Sequence, residues 1–186
     1  MYLENKNYEM ENLFHNYFNY SWNNDWRKSV IILSGGFDPV HKGHLRMFRE
    51  ASWLGHQVIV GLNSDEWLTR KKGKPFMDFK ERKEILEGFQ YINQVIPFDD
   101  SDDTACNLIR RVRTLYNGGE FEYNFLDTNP TGEKNYKLYF ANGGDRTTDN
   151  VPEMSVCQEL DIEMLWGIGG GKIQSSSWLT NEVQEG

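Results

Sequence analysis

The stretch that decides the fold is Ile31-Ile32-Leu33-Ser34-Gly35-Gly36-Phe37-Asp38-Pro39-Val40-His41-Lys42-Gly43-His44-Leu45. Residues 30–33 form a short apolar run that is largely β-branched, which predicts a buried parallel strand. From Leu45 onward, apolar residues recur at helical spacing. The stretch therefore predicts a strand, a tight turn and a helix that begins near Lys42 or Gly43.

The predicted turn has the features of an anion site. Gly35 and Gly36 allow the backbone to come close to a ligand. The helix that follows directs unpaired N–H groups and the positive end of its dipole at the turn. His41 and His44 are three residues apart and share one face of the helix start, where they could donate hydrogen bonds to phosphate oxygens. We therefore expect a phosphate to bind here.

Residues 35–44, Gly-Gly-Phe-Asp-Pro-Val-His-Lys-Gly-His, resemble the H-x-G-H signature of the cytidylyltransferase-like nucleotidyltransferases. Members of this family join a nucleoside triphosphate to a phosphorylated small molecule. Two histidines alone would fit a structural or metal-binding pair equally well, but each part of the combined motif has a separate physical task. The resemblance implies that Gly35, Gly36, Phe37 and Asp38 bind the nucleotide, and that His41 and His44 are catalytic.

Length and charge limit the other classes of function. The 186 residues fit one domain with additions, and a net charge of -8 argues against nucleic acid as the main partner. Cys106 and Cys157 have no metal-ligand spacing, so neither a disulfide framework nor a zinc site is indicated. The chain has no apolar stretch of membrane-spanning length and no signal-peptide core. We expect a cytoplasmic protein without membrane contact.

Two aromatic-rich segments stand outside the family pattern. The pattern of residues 1–28 predicts an amphipathic N-terminal extension, and the resemblance implies that residues 29–186 form the nucleotidyltransferase domain. Residues 117–136 interrupt that domain as an insertion. The insertion could cover the active site or contact a second subunit, and we expect a homodimer because aromatic patches need a surface that buries them.

A basic loop follows the second predicted strand. Residues 60–82 resemble the same region of ADP-heptose synthases and glycerol-3-phosphate cytidylyltransferases, in which lysines reach substrate phosphates. The resemblance implies that Lys72 binds phosphate and that Lys74 and Arg82 are catalytic, although the loop could also be only a solvated turn. Arg82 could instead pair with neighbouring glutamates. Gln90 stands where relatives have an arginine, so one expected triphosphate contact is missing.

The C-terminal half adds a second set of candidates. Gly144 and Asp145 resemble a Gly-Gly-Asp element at a strand end, and Lys172 lies near a family arginine. Ser175, Ser176 and Ser177 resemble a second helix start that meets the triphosphate from the opposite side. Three serines alone would indicate only a helix cap. The aspartates of residues 99–103 are expected to form a cap rather than a metal site.

The alternation of strands and helices predicts an α/β fold, a Rossmann-like five-stranded parallel sheet with helices on both faces. The expected strands are residues 30–33, 57–62, 93–97, 138–141 and 162–166. The resemblance implies an enzyme that transfers a nucleotidyl group from CTP or ATP to a sugar-phosphate or polyol-phosphate. We expect Mg²⁺ to arrive with the triphosphate, with no dedicated metal site. A nicotinate-mononucleotide adenylyltransferase, a non-catalytic nucleotide-binding module and a synthetase fragment are the alternatives.

Overall fold

The computed structural model describes residues 29–117, 136–143, 151–171 and 175–176. Strands and helices alternate along these ranges. The elements are β1 (Ser29–Gly35), α1 (Lys42–Leu54), β2 (Gln57–Leu62), α2 (Asp65–Lys72), α3 (Phe79–Glu87), β3 (Gln94–Pro97), α4 (Cys106–Asn117), β4 (Lys137–Gly143), α5 (Glu153–Glu159) and β5 (Glu163–Ile168). The predicted N-terminal extension, 1–28, and the interior of the predicted insertion lie outside the described residues.

The five strands form one parallel sheet in the order β3-β2-β1-β4-β5. Strand β1 lies at the centre, where Ile31 is opposite Val58 on one side and Tyr139 on the other. The predicted five-stranded parallel sheet is confirmed. Chain order reverses at β1, so the carboxyl end of β1 is the switch point at which open α/β sheets bind ligands.

Both faces of the sheet are covered by helices, as predicted. Successive residues of β1 point to opposite faces, so Val30 and Ile32 enter one core while Ile31 and Leu33 enter the other. The first core includes residues from α4 and α5, and the second includes residues from α1 and α3. None of the described helices has the length and apolarity needed to cross a membrane.

Side-chain caps start the helices beside the carboxyl end of the sheet. The Ser64 hydroxyl accepts a hydrogen bond from the Trp67 N–H at 3.0 Å and so caps the start of α2. The predicted aspartate cap is only part of the arrangement that follows β3. Asp102 accepts from the Thr104 N–H, in the turn before α4. Asp100 is buried and accepts from both Asn63 and Ser64, so it joins this turn to the end of β2.

One predicted core residue is on the surface. The apolar residues Ile85, Leu86 and Phe89 predict the inward face of α3, but 39% of Ile85 is exposed. The buried residues of α3 are Arg82 and Leu86, which are four positions apart and therefore share one face of the helix. Arg82 was assigned to phosphate binding or to a pair with neighbouring glutamates, so its burial beside Leu86 was not expected.

The two ends of the predicted insertion are held close together. The rings of Tyr116, in the last turn of α4, and Tyr136, just before β4, pack edge to face with centroids 5.1 Å apart. The Tyr116 hydroxyl also donates a hydrogen bond to the Gln57 side chain at the start of β2. The insertion therefore leaves and rejoins the domain at the amino-terminal edge of the sheet.

The close contact between β2 and α4 gives a stability prediction. A Cβ atom at Gly61 would lie 2.2 Å from Cδ2 of the fully buried Leu108. We expect Gly61→Ala to lower the free energy of unfolding by about 1–3 kcal/mol through overpacking. Urea unfolding measures this change, and Gly171→Ala is the control because a Cβ at Gly171 meets no atom within 4 Å.

A double-variant cycle identifies the cause. If the clash is responsible, the combined variant Gly61→Ala and Leu108→Ala will be less destabilised than the sum of the two single variants. Additive losses would contradict the packing explanation.

Candidate active site

Two histidines form the cap of α1. His41 is the N-cap residue, and its Nδ1 accepts hydrogen bonds from the N–H groups of Gly43, at 3.1 Å, and His44, at 3.4 Å. In return, His44 Nδ1 accepts from the His41 N–H at 3.3 Å. The two rings are stacked, with centroids 3.7 Å apart. The arrangement is a capping box in which imidazole nitrogens replace the usual oxygen acceptors.

The cap determines which nitrogens of the two rings are available to a ligand. Because each Nδ1 accepts a hydrogen bond, the ring proton of each neutral imidazole lies on Nε2. Burial lowers the pKa of both side chains, and the pKa of His44 falls to about 3, with further lowering by the charges of His41 and Lys72. Both histidines are therefore neutral donors through Nε2 at neutral pH.

The glycines and the aromatic residue of the turn pack tightly beneath the histidines. Phe37 is buried with a φ of 48°, and its ring lies edge-on to the His44 ring at 4.9 Å. A Cβ at Gly35 would lie 3.0 Å from the Phe37 ring, and one at Gly36 would lie 2.8 Å from Leu68. These contacts give all three residues a packing role that sequence analysis did not identify, next to their predicted contact with a nucleotide.

Asp38 joins the turn to the basic loop. Its buried carboxylate accepts hydrogen bonds from the N–H groups of Phe76, at 2.7 Å, and Met77, at 2.8 Å. Its backbone carbonyl accepts from Lys72 Nζ at 2.9 Å. Burial lowers the pKa of Lys72, and the nearby Asp38 opposes that shift. The structure thus brings Lys72 to the turn, while the Asp38 carboxylate positions the loop and has both oxygens in use.

Arg82 lies beneath the site rather than facing it. Its side chain is fully buried and donates to Asp65 Oδ1 at 2.6 Å and to the Met77 carbonyl at 3.1 Å. One terminal nitrogen also donates to the Gly36 carbonyl at 2.7 Å and to the Asn63 carbonyl at 3.0 Å. The expected direct contact with a triphosphate therefore does not match this geometry, because the guanidinium is directed at protein oxygens.

The other predicted cation of the loop is available. Lys74 is exposed and follows Gly73, whose φ of 88° ends α2. It lies between Lys72, which contacts the turn, and Phe76, whose backbone is held by Asp38. Lys74 is thus carried by a loop that is fixed on both sides of it.

The serine segment reaches the same turn from the other half of the chain. The Ser176 hydroxyl donates to the Pro39 carbonyl at 2.8 Å, and Ser175 precedes it. The structure therefore brings Ser176 and the histidine turn together, as the sequence predicts. The remaining predicted contacts of this half, Gly144, Asp145, Lys172 and Ser177, lie outside the described residues.

Two carboxylates important to this geometry were missed by sequence analysis. Asp65 holds Arg82 and also accepts from the Phe79 N–H at 3.1 Å. Glu50, in the middle of α1, accepts from the Gly169 N–H at 2.9 Å. The only sequence signal for Asp65 was its place in the first turn of α2. For Glu50 there was none, because its partner is 119 residues away.

The histidine cap predicts a specific dependence of stability on pH. The pKa of His44 is about 3 in the folded protein, against 6.5 normally, so the unfolded chain binds one more proton between these values. The contribution of neutral His44 to the free energy of unfolding is fully present above pH 6.5. It falls by about 1.4 kcal/mol for each pH unit below that value. We expect His44→Asn to lack this part of the slope.

Urea unfolding of both proteins at pH 6.5, 5.5 and 4.5 measures that difference. Asn suits the comparison because its amide oxygen can replace Nδ1 as the acceptor for the His41 N–H. Parallel curves for the two proteins would contradict the neutral state of His44.

Comparison with known proteins supports a common origin for this site and fold. "Bifunctional protein HldE" of Sulfurimonas denitrificans is 37% identical over 99 residues, which is 51% of this chain and 20% of that protein. The protein of the same name from Geobacter sulfurreducens is 37% identical over 98 residues, or 50% of this chain and 20% of that protein. The chain thus spans about a fifth of the length of the curated relatives that it matches.

Two solved structures share the fold at lower sequence identity. A lipopolysaccharide core biosynthesis protein from Thermoplasma volcanium has a TM-score of 0.52 and 18% identity, covering 75% of this chain and 93% of the other. A Vibrio parahaemolyticus protein assigned as a nicotinate-nucleotide adenylyltransferase has a TM-score of 0.54 and 15% identity, covering 85% and 88%.

The family model described as cytidylyltransferase-like matches residues 32–166. The match runs from the middle of β1 to β5 and so includes the central sheet together with the histidine turn and the basic loop. Because it covers more than half of the sequence, this chain belongs to the cytidylyltransferase-like family of nucleotidyltransferases.

Proposed function

We propose that this protein is an enzyme that transfers a nucleotidyl group from CTP or ATP to a phosphorylated sugar or polyol and releases pyrophosphate. The observation that carries this proposal is the histidine cap, which presents two Nε2–H donors at a helix start. Donors that are fixed in this way can stabilise negative charge without reorganising during the reaction. Family membership and the similarity to the HldE proteins support the reaction class.

The proposed reaction is a single displacement at phosphorus. A phosphate oxygen of the acceptor attacks the α-phosphorus of the triphosphate, and the bond from that phosphorus to the oxygen bridging to the β-phosphate breaks. Pyrophosphate carries away the electron pair of the broken bond. No covalent bond to the protein is required, so the main task of the site is to position the two substrates and stabilise charge.

The crevice is the space between the histidine turn (residues 35–44), the basic loop (residues 72–77) and Ser175 and Ser176. The residues around it have complementary tasks in this scheme. His41 and His44 donate to phosphate oxygens near the reacting phosphorus, and the start of α1 adds its dipole. Lys72 and Lys74 bind phosphates from the side of the basic loop, while Ser175 and Ser176 approach from the other side. Gly35 and Gly36 keep the backbone close to the substrates, and Phe37 supports His44 from below.

The predicted contacts beyond the described residues belong to the same proposal. Gly144 and Asp145 would bind the base or a hydroxyl group, and Lys172 and Ser177 would complete the triphosphate site. Magnesium would enter with the triphosphate, whose oxygens are ligands that it prefers. Among the described residues, no group of three or more His, Cys, Asp or Glu side chains could hold a metal ion.

The acceptor class rests on the resemblance of residues 60–82 to ADP-heptose synthases and glycerol-3-phosphate cytidylyltransferases. This resemblance favours a sugar-phosphate or a polyol-phosphate over a mononucleotide. A cytoplasmic homodimer is part of the proposal, with residues 1–28 and 117–136 as the contact surface.

Pyrophosphate release tests the proposed reaction. Wild-type protein is incubated with CTP or ATP and a panel of sugar phosphates, polyol phosphates and nicotinate mononucleotide. We expect release that requires both a triphosphate and a sugar or polyol phosphate. His44→Ala should lower kcat by roughly a hundredfold or more while triphosphate affinity stays within a few fold.

Two variants serve as controls for that experiment. His44→Asn retains an acceptor for the helix cap but has no group at Nε2, so its kcat should stay low. His56→Ala removes an exposed histidine at the entrance to β2 and should leave turnover unchanged. Absence of pyrophosphate release with every pair would indicate a nucleotide-binding module, and near-normal turnover in His44→Ala would exclude the histidine role.

Lys74 and Arg82 should give opposite phenotypes. Lys74→Ala should raise KM for the triphosphate or the acceptor, corresponding to about 1.5–3 kcal/mol for a lost charge-assisted contact, with unchanged stability. Arg82→Met should lower the free energy of unfolding by about 1–3 kcal/mol, because three carbonyl oxygens and the partly exposed Asp65 carboxylate lose their donor. Thermal unfolding and steady-state kinetics measured on both variants distinguish the two roles. An Arg82→Met variant that is as stable as the wild type but has a raised KM for the triphosphate would indicate instead that Arg82 contacts the triphosphate.

A further inference from the structure

The carboxylate of Glu50 joins helix α1 to the turn that follows β5, two elements that are far apart in the sequence. Glu50 lies on α1, six residues after His44, and its Oε2 accepts a hydrogen bond from the Gly169 N–H at 2.9 Å. Gly169 immediately follows β5. The helix that carries the two histidines is therefore bonded directly to the turn that leaves the last strand.

That turn lies against the backbone of α1. Gly169 has a φ of 86°, and a Cβ there would lie 3.0 Å from both the N and the Cα of Met47. The turn is closed by a hydrogen bond from the Gly170 N–H to the Gly167 carbonyl at 3.0 Å. A side chain at Gly169 would be strained by the positive φ and would lie too close to the backbone of Met47.

The turn leads to the serine segment. Seven residues after Gly169, the Ser176 hydroxyl contacts the Pro39 carbonyl, two residues before His41. Gly169 and Ser176 thus each contact the first half of the domain, Gly169 through Glu50 and Ser176 through the Pro39 carbonyl. The Glu50 contact is the one nearer to β5, and it fixes the residue that directly follows that strand.

A carboxylate at this place needs a structural reason. Burial raises the pKa of Glu50, whereas the Gly169 N–H and Arg49 favour its charged form. A negative charge on the helix that carries the two histidines would also repel the proposed substrate. A hydrogen bond from a backbone N–H to a carboxylate is roughly twice as strong as a hydrogen bond between two neutral groups. The Gly169 turn is held by a bond of this stronger kind.

We propose that Glu50 is a positioning residue that holds the Gly169 turn and thereby sets the distance between the serine segment and the two histidines. A triphosphate can then be bound from both sides of the crevice at once. Glu50 touches no substrate in this role. The inference rests on the proposed function, since it assigns the serine segment to the triphosphate.

The test compares Glu50→Ala, Glu50→Gln and the control Glu84→Ala, which removes an exposed carboxylate of α3. Equilibrium binding of CTP and ATP and steady-state kinetics are measured on each variant of the 186-residue chain. We expect Glu50→Ala to weaken triphosphate binding about tenfold or more, with the acceptor KM and kcat within a few fold. Glu50→Gln keeps an acceptor oxygen and should recover most of the affinity, and Glu84→Ala should match the wild type.

Hydrogen exchange tests the contact without any substrate. The amides around Gly169 should exchange faster in Glu50→Ala than in the wild type and Glu50→Gln, while exchange in β1 stays unchanged. Unchanged exchange at Gly169 would overturn the inference. So would a Glu50→Ala variant that binds triphosphate as tightly as the wild type, or one that loses only kcat along with its melting temperature.

The two proposals fail in different ways. A wild-type protein that binds neither CTP nor ATP would refute the proposed function and, with it, the purpose assigned to Glu50. A wild type that binds and turns over triphosphate, together with a Glu50→Ala variant of equal affinity, would refute only the role of Glu50.

Discussion

The buried guanidinium of Arg82 is the contact on which the geometry of the crevice depends. It joins the chain just beyond β1, the chain just beyond β2, the first residue of α2 and the loop before α3. An arginine suits this place because its planar fork presents several donors in fixed directions and keeps its charge when buried. The charge is compensated by a carboxylate and three carbonyl oxygens, yet it still helps to lower the pKa of Lys72. Arg82 thus influences the proposed phosphate site through position and charge, without an exposed face of its own.

The histidine cap couples the stability of α1 to the availability of its donors. Each Nδ1 is occupied by a backbone N–H, so a proton can be added there only by breaking the cap. Burial of His44 among Phe37, Phe48 and the His41 ring adds to the energy required to charge it. The same contacts that start the helix therefore leave the Nε2–H groups directed away from it. Helix capping and the proposed chemistry use opposite nitrogens of the same rings, and neither interferes with the other.

The sequence predicted the sheet well and the contacts within the site only in part. The β2 bounds match the prediction, because the run of residues 58–62, with Gln57 before it, ends at the polar residues that begin at Asn63. The other strands shift by a few residues, since pairing with neighbours extends β1 and β4 beyond their apolar runs. Arg82 was recognised by its motif, but residue type does not reveal whether a guanidinium faces a ligand or a set of carbonyls. Glu50 gave no signal, because one glutamate on a helix is ordinary until the fold brings Gly169 beside it.

The packed ends of residues 117–136 have a consequence for how this domain can change over evolutionary time. Tyr116 and Tyr136 meet at the amino-terminal edge of the sheet, and β1 also begins there, directly after residues 1–28. The crevice lies at the opposite, carboxyl edge, a strand length of roughly 20 Å away. Both aromatic-rich additions thus attach to the edge that carries none of the proposed catalytic groups. Segments can be gained, lost or exchanged at that edge while the residues around the phosphate site keep their positions, so new assemblies can be selected without retuning the chemistry.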